Sequence, residues 1–212
     1  MNSVSPITLA SASIIRQFAE TNGREGEGGN TISQDYMTAL NAIHKRSKGL
    51  TNFVENYRQL TRLPQPVFEM VELRQLFANL EVLMRDQIIQ YKIRWEHEIV
   101  PENMMLLADE KLLEQVMINL VKNSVEALNC RENPYVRLTA VKLGEQVIIQ
   151  VEDNGSGIPA EIADQIFTPM FTTKPQGTGI GLSLSRQIIH MHRGTIQVNS
   201  EPGVKTVMTL RF

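Results

Sequence analysis

The stretch "QVIIQVEDNGSGIP", residues 146–159, constrains this chain more than any other. Its apolar part reads as a strand, and the strand runs without a break into Asp153 and a glycine-rich turn. Asp153 therefore stands at a strand end, on the floor of any cleft that opens there. A carboxylate at that depth must be hydrogen-bonded, and it can accept from an exocyclic amine such as that of adenine. Gly155 and Gly157 let the backbone turn close to a flat ligand with no side chain in the way. An aspartate before glycine is also an ordinary turn residue, so this stretch does not decide the matter alone.

A second glycine cluster follows in "GTGIGLSLS", residues 177–185. Gly177, Gly179 and Gly181 directly precede a helical pattern. Free N–H groups and the helix dipole at such a place suit phosphate. Between the clusters, "EIADQIFTPMFTTKPQGT" reads as a lid, and Lys174 within it can reach a terminal phosphate. A third element is the strongly helical stretch 109–129, with Asp109 as its N-cap. Asn119 and Asn123 lie four apart on one face of it, with Glu126 near them. Amide oxygens together with phosphate oxygens and water make a reasonable Mg²⁺ shell. Taken singly these signals are weak, since paired asparagines are more often solvated or capping. The spacing G-x-G-x-G is not the dinucleotide fingerprint, and no P-loop sequence is present. The joint order "NLVKNSVEA", "DNGSGIP", "IFTPMFTTK", "GTGIGLSLS" carries the information.

Composition narrows the frame. The 212 residues are 42% apolar, enough for a sizeable core, and the net charge of −2 offers no general attraction to nucleic acid or an anionic membrane. One cysteine, Cys130, cannot form an internal disulfide, which fits a reducing cytoplasm. No stretch approaches the roughly 20 apolar residues of a membrane span.

The chain changes character near residue 65. Residues 6–20 carry Ile7, Leu9, Ala10, Ile14, Ile15 and Phe18 near a helical period, and 21–33 read as a flexible loop. A second helix is expected from Ser33 to Thr61, with Met37, Leu40, Ile43, Leu50, Val54, Tyr57 and Leu60 in its stripe. "LPQPV" stops it. Two such helices form an antiparallel hairpin that needs a partner, and a second copy completing a four-helix bundle is the natural solution. Beyond it the pattern is mixed: helix over 71–91, strand over 93–99, helix over 109–129, a strand pair turning at Gly144 and Glu145, helix over 179–192, and a closing hairpin over 194–212. The expected class is α+β, a two-layer sandwich of helices against a largely antiparallel sheet, preceded by the hairpin. The domains are 1–64 and 65–212.

The four ordered stretches resemble the N, G1, F and G2 boxes of sensor histidine kinases, over roughly residues 66–212. The resemblance implies an α/β sandwich shared with gyrase-type ATPases, with ATP and Mg²⁺ as cofactors. It implies that Asn119 and Asn123 serve the metal and that Asp153 takes the adenine amine. Gly155 and Gly157 shape that pocket, Phe167 and Phe171 anchor the lid, and Gly177, Gly179 and Gly181 line the phosphates. Ile158, Thr173, Thr178, Ile180 and Leu182 belong to the same nucleotide set, and Asn119 and Lys174 are the catalytic candidates. Gyrase-type ATPases usually place a water-activating glutamate where Asn119 stands, so Asn119 favours phosphoryl transfer to a protein side chain. The implied partners are a response regulator receiver domain and a second copy of the chain, not nucleic acid. A cytoplasmic location is implied, with an upstream sensor or membrane domain. The alternatives are a gyrase, mismatch-repair or chaperone type of ATPase, and a non-catalytic regulator-binding module.

The resemblance also calls for an acceptor histidine on the first hairpin helix. His44, in "AIHKRSKGL", falls on the second and lacks the acidic residue and proline usual after an acceptor. "MNSVSPI" is similar to the tail of an acceptor motif whose histidine would precede Met1, so the expectation is that this chain lacks it. His97, His190 and His192 read as surface or strand residues.

Overall fold

The computed structural model describes residues 12–14, 16, 38, 40–51, 54, 58, 63–129, 131–174 and 177–212. The chain divides into two compact units, Met1–Thr61 and Arg62–Phe212. In the first, residues 40–51 are helical, and the Thr51 hydroxyl donates to the Ser47 carbonyl at 3.0 Å. Ile43 and Leu50 of this helix are exposed, and His44 is half-buried. The loop over 21–33 and most of the helix over 6–20 lie outside the described residues, as do Met37, Tyr57 and Leu60 of the second stripe.

The second unit is α+β. In order it contains β1 (Glu69–Glu72), α1 (Leu73–Gln90), β2 (Arg94–Val100), β3 (Met105–Ala108), α2 (Glu110–Ala127), β4 (Tyr135–Leu143), β5 (Gln146–Asp153), α3 (Ala160–Ala163), α4 (Gly181–Met191), β6 (Thr195–Glu201) and β7 (Lys205–Arg211). Five strands form one sheet in the order β2-β4-β5-β7-β6. All its pairs are antiparallel except β2 with β4, which is parallel. The α1–α2–α4 layer covers one face. Phe77, Leu80 and Met84 of α1, Leu113, Met117 and Leu120 of α2, and Ile188 and Ile189 of α4 are all buried. They meet the inward side chains of the sheet, among them Leu138, Ile149 and Leu210. The opposite face is polar. On it Arg137 bonds Glu96 at 2.7 Å, and the Tyr135 hydroxyl donates to Glu152 at 2.8 Å. A sheet with one wet face needs this alternation of apolar and polar positions.

The pattern in β5 shows why a carboxylate reaches the core. Strand side chains alternate, so Val147, Ile149, Val151 and Asp153 all point inward and are buried. Asp109 starts α2 as a side-chain cap, its Oδ1 accepting from the Leu112 N–H at 3.0 Å and its Oδ2 from the Val67 N–H at 2.8 Å. Burial raises its pKa, but these backbone donors outweigh that and hold the carboxyl below the usual aspartate range.

Two expectations are corrected. The helix read from residue 71 begins at Leu73, because Glu69–Glu72 pair with Met105–Ala108 in a separate two-stranded sheet, Met70 opposite Leu107. His192 is not a surface residue: it is buried, and its Nε2 accepts the Asp109 N–H at 2.9 Å. The acceptor role of Nε2 places the ring proton on Nδ1, which lies 2.8 Å from the Ile188 carbonyl oxygen. Phe68 and Phe212 meet the ring edge-on at centroid distances of 5.3 and 6.3 Å. His192 thus ties the end of α4 to the start of α2. Replacing His192 with Ala leaves the Asp109 N–H without its partner. Unfolding stability is expected to fall by about 1–3 kcal/mol, the usual cost of a buried donor left unsatisfied, read as a lower denaturant midpoint.

Candidate functional site

A cleft of about 800 Å³ opens at the end of β5, between α2 and the segment leading from α3 to α4. Asp153 lies on its floor and is 3% exposed. Its Oδ1 accepts the Gly155 N–H at 2.9 Å, and the Ser124 hydroxyl also hydrogen-bonds the carboxylate. Burial pushes the Asp153 carboxyl above the ordinary aspartate range. The bonds from Ser124 and Gly155 oppose the rise, Glu152 adds to it, and Arg131 opposes it. An ionised carboxylate has about four acceptor sites, so a donor entering from the cleft finds capacity left. Thr206, directly opposite Asp153 in the β5–β7 register, and Met208 complete this end of the cleft.

The other end is polar. Asn119, Asn123 and Glu126 project from α2 into the cleft, and Lys174 of the segment between α3 and α4 reaches Asn123 and Glu126. Lys174 Nζ donates to Asn123 Oδ1 at 2.9 Å and pairs with the Glu126 carboxylate. Asn119 Nδ2 donates to Ser185 Oγ at 3.0 Å, which turns its oxygen toward Gly181. The first turn of α4 follows, its cap residue Ile180 making no side-chain hydrogen bond to the freed N–H groups. The donor set is hard amide oxygen beside helix N–H groups, which fits a polyphosphate with its Mg²⁺. Among the described residues no group of three or more His, Cys, Asp or Glu is placed to hold a metal by itself.

The structure brings Asn119, Asn123, Asp153, Gly157, Ile158, Phe171, Thr173, Lys174, Gly177, Thr178, Gly179, Gly181 and Leu182 to this one cleft. Three expected residues stand behind it. Gly155 is buried against α2, Ile180 is buried in the helix layer, and Phe167 sits under the Arg186 guanidinium, 5.9 Å from its ring centre. Pro175 and Gln176 of the lid lie outside the described residues.

The reason for the glycines also differs from the expectation that their bareness makes room for a flat ligand. A Cβ on Gly155 would sit 2.6 Å from Ala127 Cβ and 2.7 Å from Asp153 Oδ1. One on Gly157, whose φ is +74°, would sit 2.7 Å from Pro202 Cα in the β6–β7 turn. Added side chains at Gly179 and Gly181 would overlap the Met170 backbone and Asn119 Oδ1. The vacated space is filled by protein, and the close backbone approaches build the cleft walls. Sequence reasoning missed Ser124, Thr206, Met208, Ile162 and Ile166 as lining residues. Ser124 was readable as the helical neighbour of Leu120 and Asn123. Thr206 and Met208 become visible only once β7 is paired with β5.

Residues 108–212 match the family described as histidine kinase-, DNA gyrase B- and HSP90-like ATPase. The histidine-protein kinase AtoS of Escherichia coli K12 is 32% identical over 179 residues, covering 84% of this chain and 29% of that protein. The sensor histidine kinase ZraS of the same organism is 34% identical over 169 residues, covering 78% of this chain and 35% of its own length. The solved catalytic domain of the histidine kinase ThkA matches with 34% identity and a TM-score of 0.63, over 69% of this chain and 95% of that domain. A structure of ThkA in complex with the response regulator protein TrrA matches at 25% identity and a TM-score of 0.66, over 99% of this chain and 59% of that one. The chain belongs to the sensor histidine kinase family and contains its ATP-binding ATPase domain. It spans about a third or less of the length of the curated relatives AtoS, NtrY and ZraS.

The packing at Gly155 yields a direct expectation. Gly155→Ala forces Ala127 and Asp153 apart. Overpacking of this kind usually costs about 1–3 kcal/mol, which a denaturant titration measures against the parent chain.

Proposed function

We propose that this chain is the kinase core of a two-component sensor histidine kinase. In this reading it binds ATP with Mg²⁺, transfers the γ-phosphoryl group to a histidine, and passes it to the receiver domain of a response regulator. Residues 1–64 are the dimerisation hairpin and 65–212 the catalytic domain, working as a cytoplasmic homodimer below an upstream sensor or membrane domain. Among the described residues no helix is long and apolar enough to cross a membrane. The carrying observation is the buried Asp153 with unused acceptor capacity at one end of a cleft whose other end holds Asn119, Asn123 and Lys174. The ThkA–TrrA complex supports a receiver domain as the second partner.

The residues divide the work. Asp153 accepts from the adenine amine, and Gly157 and Ile158 bound the base. Gly177, Thr178, Gly179 and the first turn of α4 at Gly181 and Leu182 receive the phosphates, while Phe171 and Thr173 shape the lid over them. Asn119 and Asn123 hold the metal, which when bound neutralises charge on the phosphates. Lys174 exchanges Asn123 and Glu126 for the γ-phosphate and orients it. Phosphoryl transfer depends chiefly on positioning and charge stabilisation. Asn119, a neutral amide, supplies no base to activate water, which favours a protein acceptor over free hydrolysis. AtoS and ZraS are named as histidine kinases, which supports this reading over the gyrase and mismatch-repair alternatives.

Two variants test the assignment. A hydrogen bond to a charged group is worth about 1.5–3 kcal/mol, so Asp153→Asn is expected to weaken ATP and ADP binding about ten- to a hundredfold. Calorimetry giving equal affinity for variant and parent, or equal binding of GTP and ATP, refutes the adenine role. Asn123→Ala is expected to abolish the Mg²⁺-dependent gain in ATP affinity while metal-free ADP still binds. Equal loss of both makes Asn123 structural. Rapid steady hydrolysis of ATP by the parent chain would favour the ATPase alternative.

A further inference from the structure

The loop that carries Asp153 is tied to its surroundings at several points, and one of the ties is made by a side chain outside the recognised boxes. Arg131, in the turn between α2 and β4, donates from Nε to the Asn154 carbonyl at 2.7 Å and from Nη2 to the Gly203 carbonyl. Asn154 is the residue after Asp153, and Gly203 belongs to the β6–β7 turn. Around this guanidinium fork the loop is also tied to α2 and to the β6–β7 hairpin. The Gly203 N–H donates to the Ser156 carbonyl at 2.8 Å, the Ser156 N–H to the Ala127 carbonyl at 3.1 Å, and the Ile158 N–H to Ser200 Oγ at 2.8 Å. Asn154 returns the contact to the Arg131 turn, its Oδ1 accepting the Tyr135 N–H at 2.8 Å and its Nδ2 donating to the Asn133 carbonyl at 3.1 Å.

We propose that Arg131 is a positioning residue for nucleotide binding, clamping the 153–158 loop to the β6–β7 turn so that the Asp153 carboxylate faces the cleft. The inference rests on the adenine role proposed for Asp153. The fork geometry matters because a guanidinium donates from two separate nitrogens in a fixed plane, whereas an ammonium donates from a single point on a flexible stem. Gly157 makes the same demand from the other side, since its bare Cα lies against Pro202 of that turn. Arg131 acts a second way through its charge, which favours the ionised form of Asp153. The other charged groups around Asp153 are Glu152 beside it, which opposes ionisation, and Glu126 and Lys174 across the cleft, which pair with each other.

The test measures ADP affinity of the whole chain by calorimetry across a pH series for the parent, Arg131→Gln and Arg131→Lys, with thermal unfolding of each. Binding weakens as pH falls and Asp153 takes up a proton, because the acid loses an acceptor site. Removing the positive charge raises the pH at which this begins. Arg131→Gln is expected to bind ADP about tenfold more weakly, the order expected from one lost charge-assisted contact acting indirectly, and to move the acid limb to higher pH. Arg131→Lys keeps the charge but not the fork, so it is expected to lose affinity while its acid limb stays with the parent. The ligand's own titration is common to all three and cancels in the comparison. Variants that bind like the parent at every pH, or that lose only thermal stability, overturn the proposal while leaving the adenine role intact. A parent chain that binds no ADP removes the adenine role itself, and the clamp with it.

Discussion

Asp153 ends an inward-facing row whose other members, Val147, Ile149 and Val151, are hydrocarbon, so its carboxylate enters the core and must be satisfied there. Leaving such a group without partners costs several kcal/mol, and the surrounding structure is arranged against that cost. The Gly155 N–H turns back onto Oδ1 because the chain reverses within two residues, and only a residue without Cβ fits between Asp153 and Ala127. Ser124 faces the same carboxylate from α2. These contacts oblige α2 to run close beneath the loop. That position in turn sets Asn119 and Asn123, on the same helix face, along the edge of the cleft.

The joint between α2 and α4 serves the same end from a distance. α2 starts at Asp109 and α4 ends at His192, and the bond between the Asp109 N–H and His192 Nε2 fixes the two helices at the side away from the cleft. Asn119 to Ser185 is a second tie nearer the site. A helix pair held at two separated points has little freedom to change its spacing, so the turn at Gly181 keeps its distance from the asparagines. That order is what the proposed phosphate site would require for preorganised binding.

Much of this was legible in the sequence. The apolar run into Asp153, the cap at Asp109, the helical spacing of Asn119 and Asn123 and the glycine clusters are all local signals, and each is found where its pattern placed it. What escaped was set by partners distant in sequence. β1 and β3 are four residues each, too short to show a period, and exist through their mutual pairing. His192 reads as one more helix-end histidine until Asp109 arrives beside it. The glycines were visible, but their reason was not. Whether a missing Cβ makes room for a ligand or for Ala127 and Pro202 depends on which backbone comes near.

The two ends of the cleft differ in how firmly they are held, and the difference matches the tasks proposed for them. At the Asp153 end the contacts are buried backbone bonds and glycine packing, which are stiff and costly to disturb. At the other end Lys174 and Glu126 are exposed. An ion pair in water contributes about 0–1 kcal/mol, so little is lost when Lys174 leaves Glu126 for a more highly charged partner. A polyphosphate offers that partner, with several anionic oxygens for one carboxylate. In the proposed function the rigid floor would read the base, and the weakly latched segment around Lys174 would be free to follow the phosphates without the floor having to yield.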